Sequence, residues 1–259
     1  VCVKEGAFLQ TNAVAATGVG PLMIRGGYAG DGFTAGDATV VGRQTKDAGG
    51  NLIQCPLFSF SGSTVALESL TITNGFSRSS TYGQAVSLLS TCTASIKDCI
   101  FTENGPGGHD DAGYFGGAVG AQQGTLVIDN CTFARNKLDG YGGNNGNVCP
   151  RGGAVGAYRA AVTIRHSTFD RNWTRSVHAR GYGGGAIGLK ECPVVVIDNC
   201  TFTTNFARTS DGASNYLPAD QWGHGPYGGT IYIADSPSAV IRDSTFLGGW
   251  SASFGTGRL

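Results

Sequence analysis

The sequence predicts an all-β chain folded as a single right-handed parallel β-helix, a solenoid with variable loops on one side. Three observations lead there: a repeating block, apolar alternation at period two inside that block, and the near absence of helix signals. Four segments carry the block clearly: GGAVGAQQGTLVIDNCTFARN from Gly116, GGAVGAYRAAVTIRHSTFDRN from Gly152, GGAIGLKECPVVVIDNCTFTTN from Gly184 and GGTIYIADSPSAVIRDSTFLGG from Gly228. A weaker copy, GQAVSLLSTCTASIKDCIFTEN, starts at Gly83. From the second residue of each block to its Phe is 16 or 17 residues, whereas the stretch from each Phe to the next block varies from 16 to 27. A fixed segment alternating with a variable one is how a rigid coil with loops on one side reads in sequence.

Inside the block, residues around Ala118 and Gly120 form one short strand, and Val127, Cys131 and Phe133 lie on a second. Alternation puts Leu126 and Ile128 on one face and Val127 and Asp129 on the other. Helix caps and apolar spacing at three and four residues are missing. If successive coils pair in parallel, equivalent residues stack about 4.8 Å apart. Phe101, Phe133, Phe169, Phe202 and Phe246 then form an interior aromatic column. Asn104, Asn136, Asn172 and Asn205 form an amide ladder at a turn, where Asn suits the left-handed backbone. Asp129 and Asp198 share a position with Arg165 and Arg242, so opposite charges neighbour one another in a structural ladder.

The chain reads as one domain: irregular N-terminal coils over 1–82, regular repeats over 83–249 and a C-terminal tail over 250–259. Pro21–Tyr28, Thr39–Gly42 and Leu57–Asn74 look like coils with longer excursions. The chain opens on Val1 without Met, as a processed or excerpted segment does, and no capping helix follows Phe246. Either an open sheet edge or a continuing polypeptide is expected there.

Lys+Arg and Asp+Glu are both 18, which removes the basic surface that nucleic acid or an anionic membrane requires. Charged residues make up 14%, little for a cytosolic enzyme, and no apolar run is long enough to span a membrane. Eight Cys without a Cys-x-x-Cys pair point to disulfides and an oxidising, extracellular or cell-surface location. Cys99, Cys131 and Cys200 share one repeat position; Cys99 and Cys131 sit near bridging distance, or form a row of buried thiols. Sequons at Asn130, Asn172 and Asn199 are candidate glycosylation sites.

The pairing of Gly-Gly-Ala-Val/Ile with Phe-x-x-Asn resembles the repeat of the chlamydial polymorphic outer membrane proteins and their relatives. It occurs here as GGAV with Phe133-Ala-Arg-Asn136, GGAV with Phe169-Asp-Arg-Asn172 and GGAI with Phe202-Thr-Thr-Asn205, within residues 83–249. The resemblance implies a pectin-lyase-like right-handed β-helix and a surface adhesin or structural role. The autotransporter barrel of that family has no counterpart in this sequence.

Four loops leave after the Asn position: Gly105–Phe115, Lys137–Arg151, Trp173–Gly183 and Phe206–Tyr227. For an enzyme, the catalytic candidates are His109, Asp110, Asp111, Arg175, His178, Arg180 and His224. A polysaccharide lyase would use His or Tyr as base and Arg against a uronate carboxylate; a glycosidase needs two carboxylates at a set separation, and Asp139, Asp211 and Asp220 also lie in these loops. Tyr114, Tyr141, Tyr182, Trp222 and Tyr227 are candidates for stacking on sugars. The tyrosines recur near Gly-Gly, which fits a structural row better than catalysis. His109, His178 and His224 come from loops with unmatched offsets, so no metal or other cofactor is expected. Asp110-Asp111 and Gly223-His224-Gly225 echo polygalacturonase motifs at the wrong spacing. The favoured reading is a non-catalytic extracellular structural or adhesive protein, self-associating head to tail through open ends. The alternatives are a polysaccharide lyase-like enzyme and a glycan-binding module in the loop-side groove.

Overall fold

A computed structural model describes residues 1–4, 6–10, 12–28, 38–43, 55–77, 82–105, 115–140, 151–176, 183–209 and 228–253. These residues contain strands and turns and no helix. The described residues wind through eight coils. The first holds β1 (Cys2–Lys4), β2 (Gly6–Gln10) and β3 (Val14–Thr17), and the second β4 (Leu22–Tyr28), β5 (Thr39–Arg43) and β6 (Phe58–Ser61). Next come β7 (Thr64–Glu68), β8 (Leu70–Thr73) and β9 (Val86–Leu89), then β10 (Thr93–Lys97), β11 (Ile100–Thr102) and β12 (Val119–Gln122). The fifth coil gains a strand: β13 (Thr125–Asp129), β14 (Thr132–Ala134), β15 (Lys137–Gly140) and β16 (Val155–Tyr158). The sixth repeats that plan with β17 (Ala161–Arg165), β18 (Thr168–Asp170), β19 (Trp173–Ser176) and β20 (Ile187–Lys190). The seventh has β21 (Val195–Asp198), β22 (Thr201–Thr203), β23 (Phe206–Thr209) and β24 (Ile231–Ala234), and the last β25 (Ala239–Arg242), β26 (Thr245–Leu247) and β27 (Trp250–Ser253).

Equivalent strands pair in parallel from coil to coil. They build sheet A (β1-β4-β7-β10-β13-β17-β21-β25), sheet B (β2-β5-β8-β11-β14-β18-β22-β26), sheet C (β3-β6-β9-β12-β16-β20-β24) and the four-stranded sheet D (β15-β19-β23-β27). The three long sheets enclose one apolar core along the axis, in which Leu126, Ile128, Phe133 and Val119 are all fully buried. Leu126 and Ile128 point inward and Val127 and Asp129 outward, as period-two alternation requires. Val127 and Phe133 do not share a strand: Asn130 takes φ 51° between β13 and β14 and turns the chain from sheet A into sheet B.

The Phe column is continuous. Ring centroids are 4.8 Å apart for Phe101–Phe133, 4.9 Å for Phe133–Phe169, 4.9 Å for Phe169–Phe202 and 4.7 Å for Phe202–Phe246, with planes within 10°. Towards the N-terminus the column passes through Ile72 and Val41 to Phe8.

The Asn ladder is equally regular, and its residues are buried. Asn104 Nδ2 donates to Asn136 Oδ1 (2.8 Å), Asn136 Nδ2 to Asn172 Oδ1 (2.9 Å) and Asn172 Nδ2 to Asn205 Oδ1 (3.0 Å). Each Nδ2 also donates to a carbonyl one coil back, such as Asn172 to Phe133 O at 2.9 Å. Each Oδ1 also accepts a backbone N–H from one coil back, Asn104 from Gly75 at 2.9 Å and the others from the preceding Asn, as Asn172 Oδ1 does from Asn136 at 3.0 Å. All four hydrogen-bonding positions of the Asn172 carboxamide are therefore used. The left-handed residue at this corner is the one before it: Glu103, Arg135, Arg171 and Thr204 have φ 50–55°. Asn is placed here for its amide, not its backbone.

Gly-Gly marks the turn into sheet C. Gly116 has φ 78°, and a Cβ there would lie 1.9 Å from Val119 O; a Cβ on Gly117 would lie 2.1 Å from Gly153 O in the next coil. The first glycine supplies the backbone angle and the second permits the close approach.

On the outer face of sheet A, register aligns Arg25, Glu68, Lys97, Asp129, Arg165, Asp198 and Arg242 with strictly alternating sign. Arg242 pairs with Asp198 at 2.8 Å and Arg25 with Glu68 at 3.4 Å, while Asp129 takes His166 Nδ1 at 2.8 Å.

Replacing Asn172 with Ala leaves Phe133 O, the Asn136 N–H and parts of two carboxamides unpaired in the interior. At about 1–3 kcal/mol per orphaned group, Asn172→Ala is expected to lose more than ~3 kcal/mol, measured by urea unfolding; a loss near zero would show that the ladder holds nothing.

Candidate functional site

Most residues singled out for chemistry lie outside the described residues: His109, Asp110, Asp111, Tyr114, Tyr141, His178, Arg180, Tyr182, Asp211, Asp220, Trp222, His224 and Tyr227. Asp139 and Arg175 are described, and both are on strands rather than loops. The segments after Asn136, Asn172 and Asn205 continue as β15, β19 and β23, so the variable stretches begin later than the sequence suggested. The tail from residue 250 likewise begins as β27, paired with β23.

Sheet D turns Leu138, Thr174 and Ala207 inward and leaves two rows facing out. One row is Lys137, Trp173, Phe206 and Trp250; the other is Asp139, Arg175 and Arg208. The rings of Trp173 and Phe206 are 5.9 Å apart and those of Phe206 and Trp250 4.5 Å, with planes within 2°. Stacked this way, the aromatic faces cover one another. Phe206 has no open face for a sugar, and the row stiffens the sheet.

In the second row Arg175 and Asp139 form a two-point ion pair: Nε donates to Oδ1 at 2.7 Å and Nη2 to Oδ2. Asp139 is buried, so the pair is anchored from below. Arg175 was a candidate for neutralising a substrate carboxylate; here its charge is balanced within the sheet. Lys137 Nζ sits 5.6 Å from the Trp173 ring centroid and the Arg208 guanidinium carbon 5.2 Å from the same centroid. Burial pushes the Lys137 ammonium below the usual lysine range, with Asp139 opposing the shift and Arg175 adding to it. Arg208 Nε is buried and has no hydrogen-bond partner. Sequence reading missed Lys137, Trp173, Phe206, Arg208 and Trp250. The signal was aromatic-x-Arg in Trp173-Thr174-Arg175 and Phe206-Ala207-Arg208, which resumes period two right after the Asn.

A second charged cluster lies at the end of sheet C. Arg159 Nε donates to Glu191 Oε2 at 2.8 Å, and the Tyr158 hydroxyl to the same oxygen at 3.1 Å. The Arg159 hydrogen bond holds the Glu191 carboxyl below the usual glutamate range.

The expected disulfides are not found among Cys92, Cys99, Cys131, Cys192 and Cys200, all of which are buried free thiols. Their role at the corners explains this. Cys99, Cys131 and Cys200 each donate to the carbonyl two residues back, at 3.2, 3.2 and 3.3 Å. Ser167 and Ser244 make the same bond at that position in other coils, at 2.6 and 2.8 Å. Burial pushes the Cys192 and Cys200 thiols up, and Cys131 is raised first by its hydrogen bond with Cys99 and then by burial. Of the sequons, Asn172 is consumed by the buried ladder, so a glycan there is incompatible with this fold. Asn130 and Asn199 are exposed at corners, with Asn130 Nδ2 donating to Asp98 at 2.6 Å. No group of His, Cys, Asp and Glu suited to a metal ion occurs among the described residues.

Among known families, the one described as "right handed beta helix region" matches residues 51–249. No curated protein and no solved structure matches the chain. The handedness is the one the sequence predicted.

Two outcomes follow from these geometries. The five buried thiols are expected to resist alkylation at pH 8 until denaturant is added, each then gaining one label by mass spectrometry; a native Cys99–Cys131 peptide pair lighter by two hydrogens would contradict the unbridged state. Glu191 has a depressed pKa in the folded chain, so its contribution to stability is present above the ordinary glutamate pKa of about 4.3 and is lost as pH falls through the lower folded value. In Arg159→Ala the Glu191 carboxyl, followed by NMR titration, is expected to move up towards that ordinary value.

Proposed function

We propose, from the premise that the chain belongs to the right-handed beta helix family, that it is a non-catalytic structural or adhesive scaffold acting outside the cell or at its surface. The observation behind this is how completely the recurring polar side chains are committed. The Asn row is closed by coil-to-coil hydrogen bonds, the row on sheet A alternates in sign, and the corner Cys and Ser bind backbone carbonyls. Arg175, the one described member of the catalytic candidates, is already paired. Loops carried on such a column suit recognition better than chemistry at the column itself. The Gly-Gly-Ala-Val/Ile and Phe-x-x-Asn pairing supports a surface role of the kind found in polymorphic outer membrane proteins.

Self-association head to tail is part of the proposal. Phe246 and Phe8 belong to the same interior column at opposite ends of the described coils and are 47% and 38% exposed, where interior members of that column are buried. Ile231 and Val14 stand in the same relation in sheet C. A second copy seated end to end continues both columns, and such a heterologous contact propagates into a filament.

Sedimentation velocity over a concentration series is expected to show growing species for the wild type and monomer for Phe246→Asp. Strictly monomeric wild-type protein, dispersed in electron micrographs, overturns the filament. New unsaturated or reducing ends released from acidic polysaccharides would replace the scaffold reading with a lyase or a hydrolase.

A further inference from the structure

Sheet A and sheet D carry charge in opposite ways. On sheet A every register neighbour has the opposite sign, which is how a parallel stack accommodates charge without outside help. On sheet D the second row runs Asp139, Arg175, Arg208, so two guanidinium groups are register neighbours. Lys137 joins them: its ammonium and the Arg208 guanidinium both lie within 6 Å of the Trp173 ring centroid, at 5.6 and 5.2 Å. Three cations thus gather on adjacent strands with one carboxylate among the described residues of the sheet, and Asp139 is bound two-point by Arg175. Arg208 is half-buried and its Nε lacks an acceptor. A desolvated guanidinium beside other cations is costly unless an anion compensates it.

We propose that Arg208 is the anchor of an oxyanion-binding subsite on the outer face of sheet D, and that its ligand is a sulfate ester on a polysaccharide. With Arg175 held by Asp139, the uncommitted cations are Lys137 and Arg208, from the strands on either side of β19, so an anion between them is approached from two sides. A tetrahedral oxyanion presents oxygens that way, and a planar carboxylate does not. Because Nε is buried, the donors that meet those oxygens are the terminal Nη groups of Arg208, with Lys137 adding charge. The subsite lies on a strip running along the column axis, where a polymer with repeated charges gains from several contacts at once. This deepens the adhesive reading and rests on it for the choice of a polymer. The stacked aromatic row beside the site holds the cations in place: Trp173 is clamped against Phe206 and carries the Arg208 guanidinium on its ring.

The test measures binding of dextran sulfate to the full chain by isothermal titration calorimetry, with dextran, polygalacturonate and inorganic sulfate as further probes. Dextran sulfate is expected to bind and uncharged dextran not. Arg208→Gln is expected to weaken binding by about tenfold or more, the loss of one charge-assisted contact, and Arg208→Lys to restore only part of it. Arg165→Gln removes the same charge from sheet A and is expected to leave binding unchanged. Equal weakening by Arg165→Gln reduces the effect to net charge and overturns the subsite. So does full binding by Arg208→Gln, or polygalacturonate binding as tightly as dextran sulfate. If Arg208→Gln melts several degrees lower while dextran sulfate shifts neither chain's midpoint, the guanidinium is structural and the proposal fails. Filament formation is read separately by sedimentation, so loss of binding here leaves the scaffold reading standing.

Discussion

Parallel pairing in register places each side chain over its counterpart one coil away, at the strand spacing of about 4.8 Å. Rings at 4.7–4.9 Å and carboxamides bonded at 2.8–3.0 Å are the side-chain expression of that backbone spacing. Every position must therefore tolerate a neighbour in the same place above and below. Phe and Asn satisfy this by self-complementarity, one through ring faces and the other by being donor and acceptor at once. Charged residues cannot stack on themselves, and sheet A answers with alternation of sign.

The same constraint separates structural rows from functional ones. Where a row is self-consistent, its residues meet their complement inside the molecule: a hydrogen-bond partner in the Asn ladder, a neighbour of opposite sign on sheet A. Sheet D departs from this, as the exposed corner residues Arg135 and Arg171 also do, though each of those has a carboxylate partner. On sheet D the row Asp139, Arg175, Arg208 breaks the rule, and it does so beside the segments most variable in length. Stacked aromatics alone did not distinguish that face, because Trp173, Phe206 and Trp250 spend their ring faces on each other.

The scaffold was legible in the sequence because its residues repeat by type. The Phe column, the Asn ladder, the inward Leu126 and Ile128 and the alternating Asp and Arg could all be named from spacing and chemistry. Other features were hidden for physical reasons. The left-handed corner falls on Glu103, Arg135, Arg171 and Thr204, residue types that carry no turn signal, because the buried Asn next to them fixes the corner. Sheet D escaped notice because its inward residues are as different as Leu138, Thr174 and Ala207. The cysteines misled because a thiol and a hydroxyl make the same corner bond, so Cys131 and Ser167 are interchangeable there without any bridge. Of the proposed chemistry, only Asp139 and Arg175 fall within the described coils.

The ladder bonds join residues 29, 32, 36 and 33 positions apart in sequence, yet their lengths vary by no more than a few tenths of an ångström. At the end of sheet C the same corner-to-corner relation spans 44 residues, from Cys192 N–H to Ser236 Oγ at 3.0 Å. Closing a loop of 44 rather than 32 residues costs only about 0.3 kcal/mol in chain entropy. The column thus separates two kinds of position. Residues at the corners and in the interior are bound to their counterparts in adjacent coils, so a replacement must keep the same bond, as Ser167 does where Cys131 stands one coil away. Segments between sheet D and sheet C are free to lengthen, shorten or be exchanged one coil at a time. Their length can change without disturbing the register of the coils.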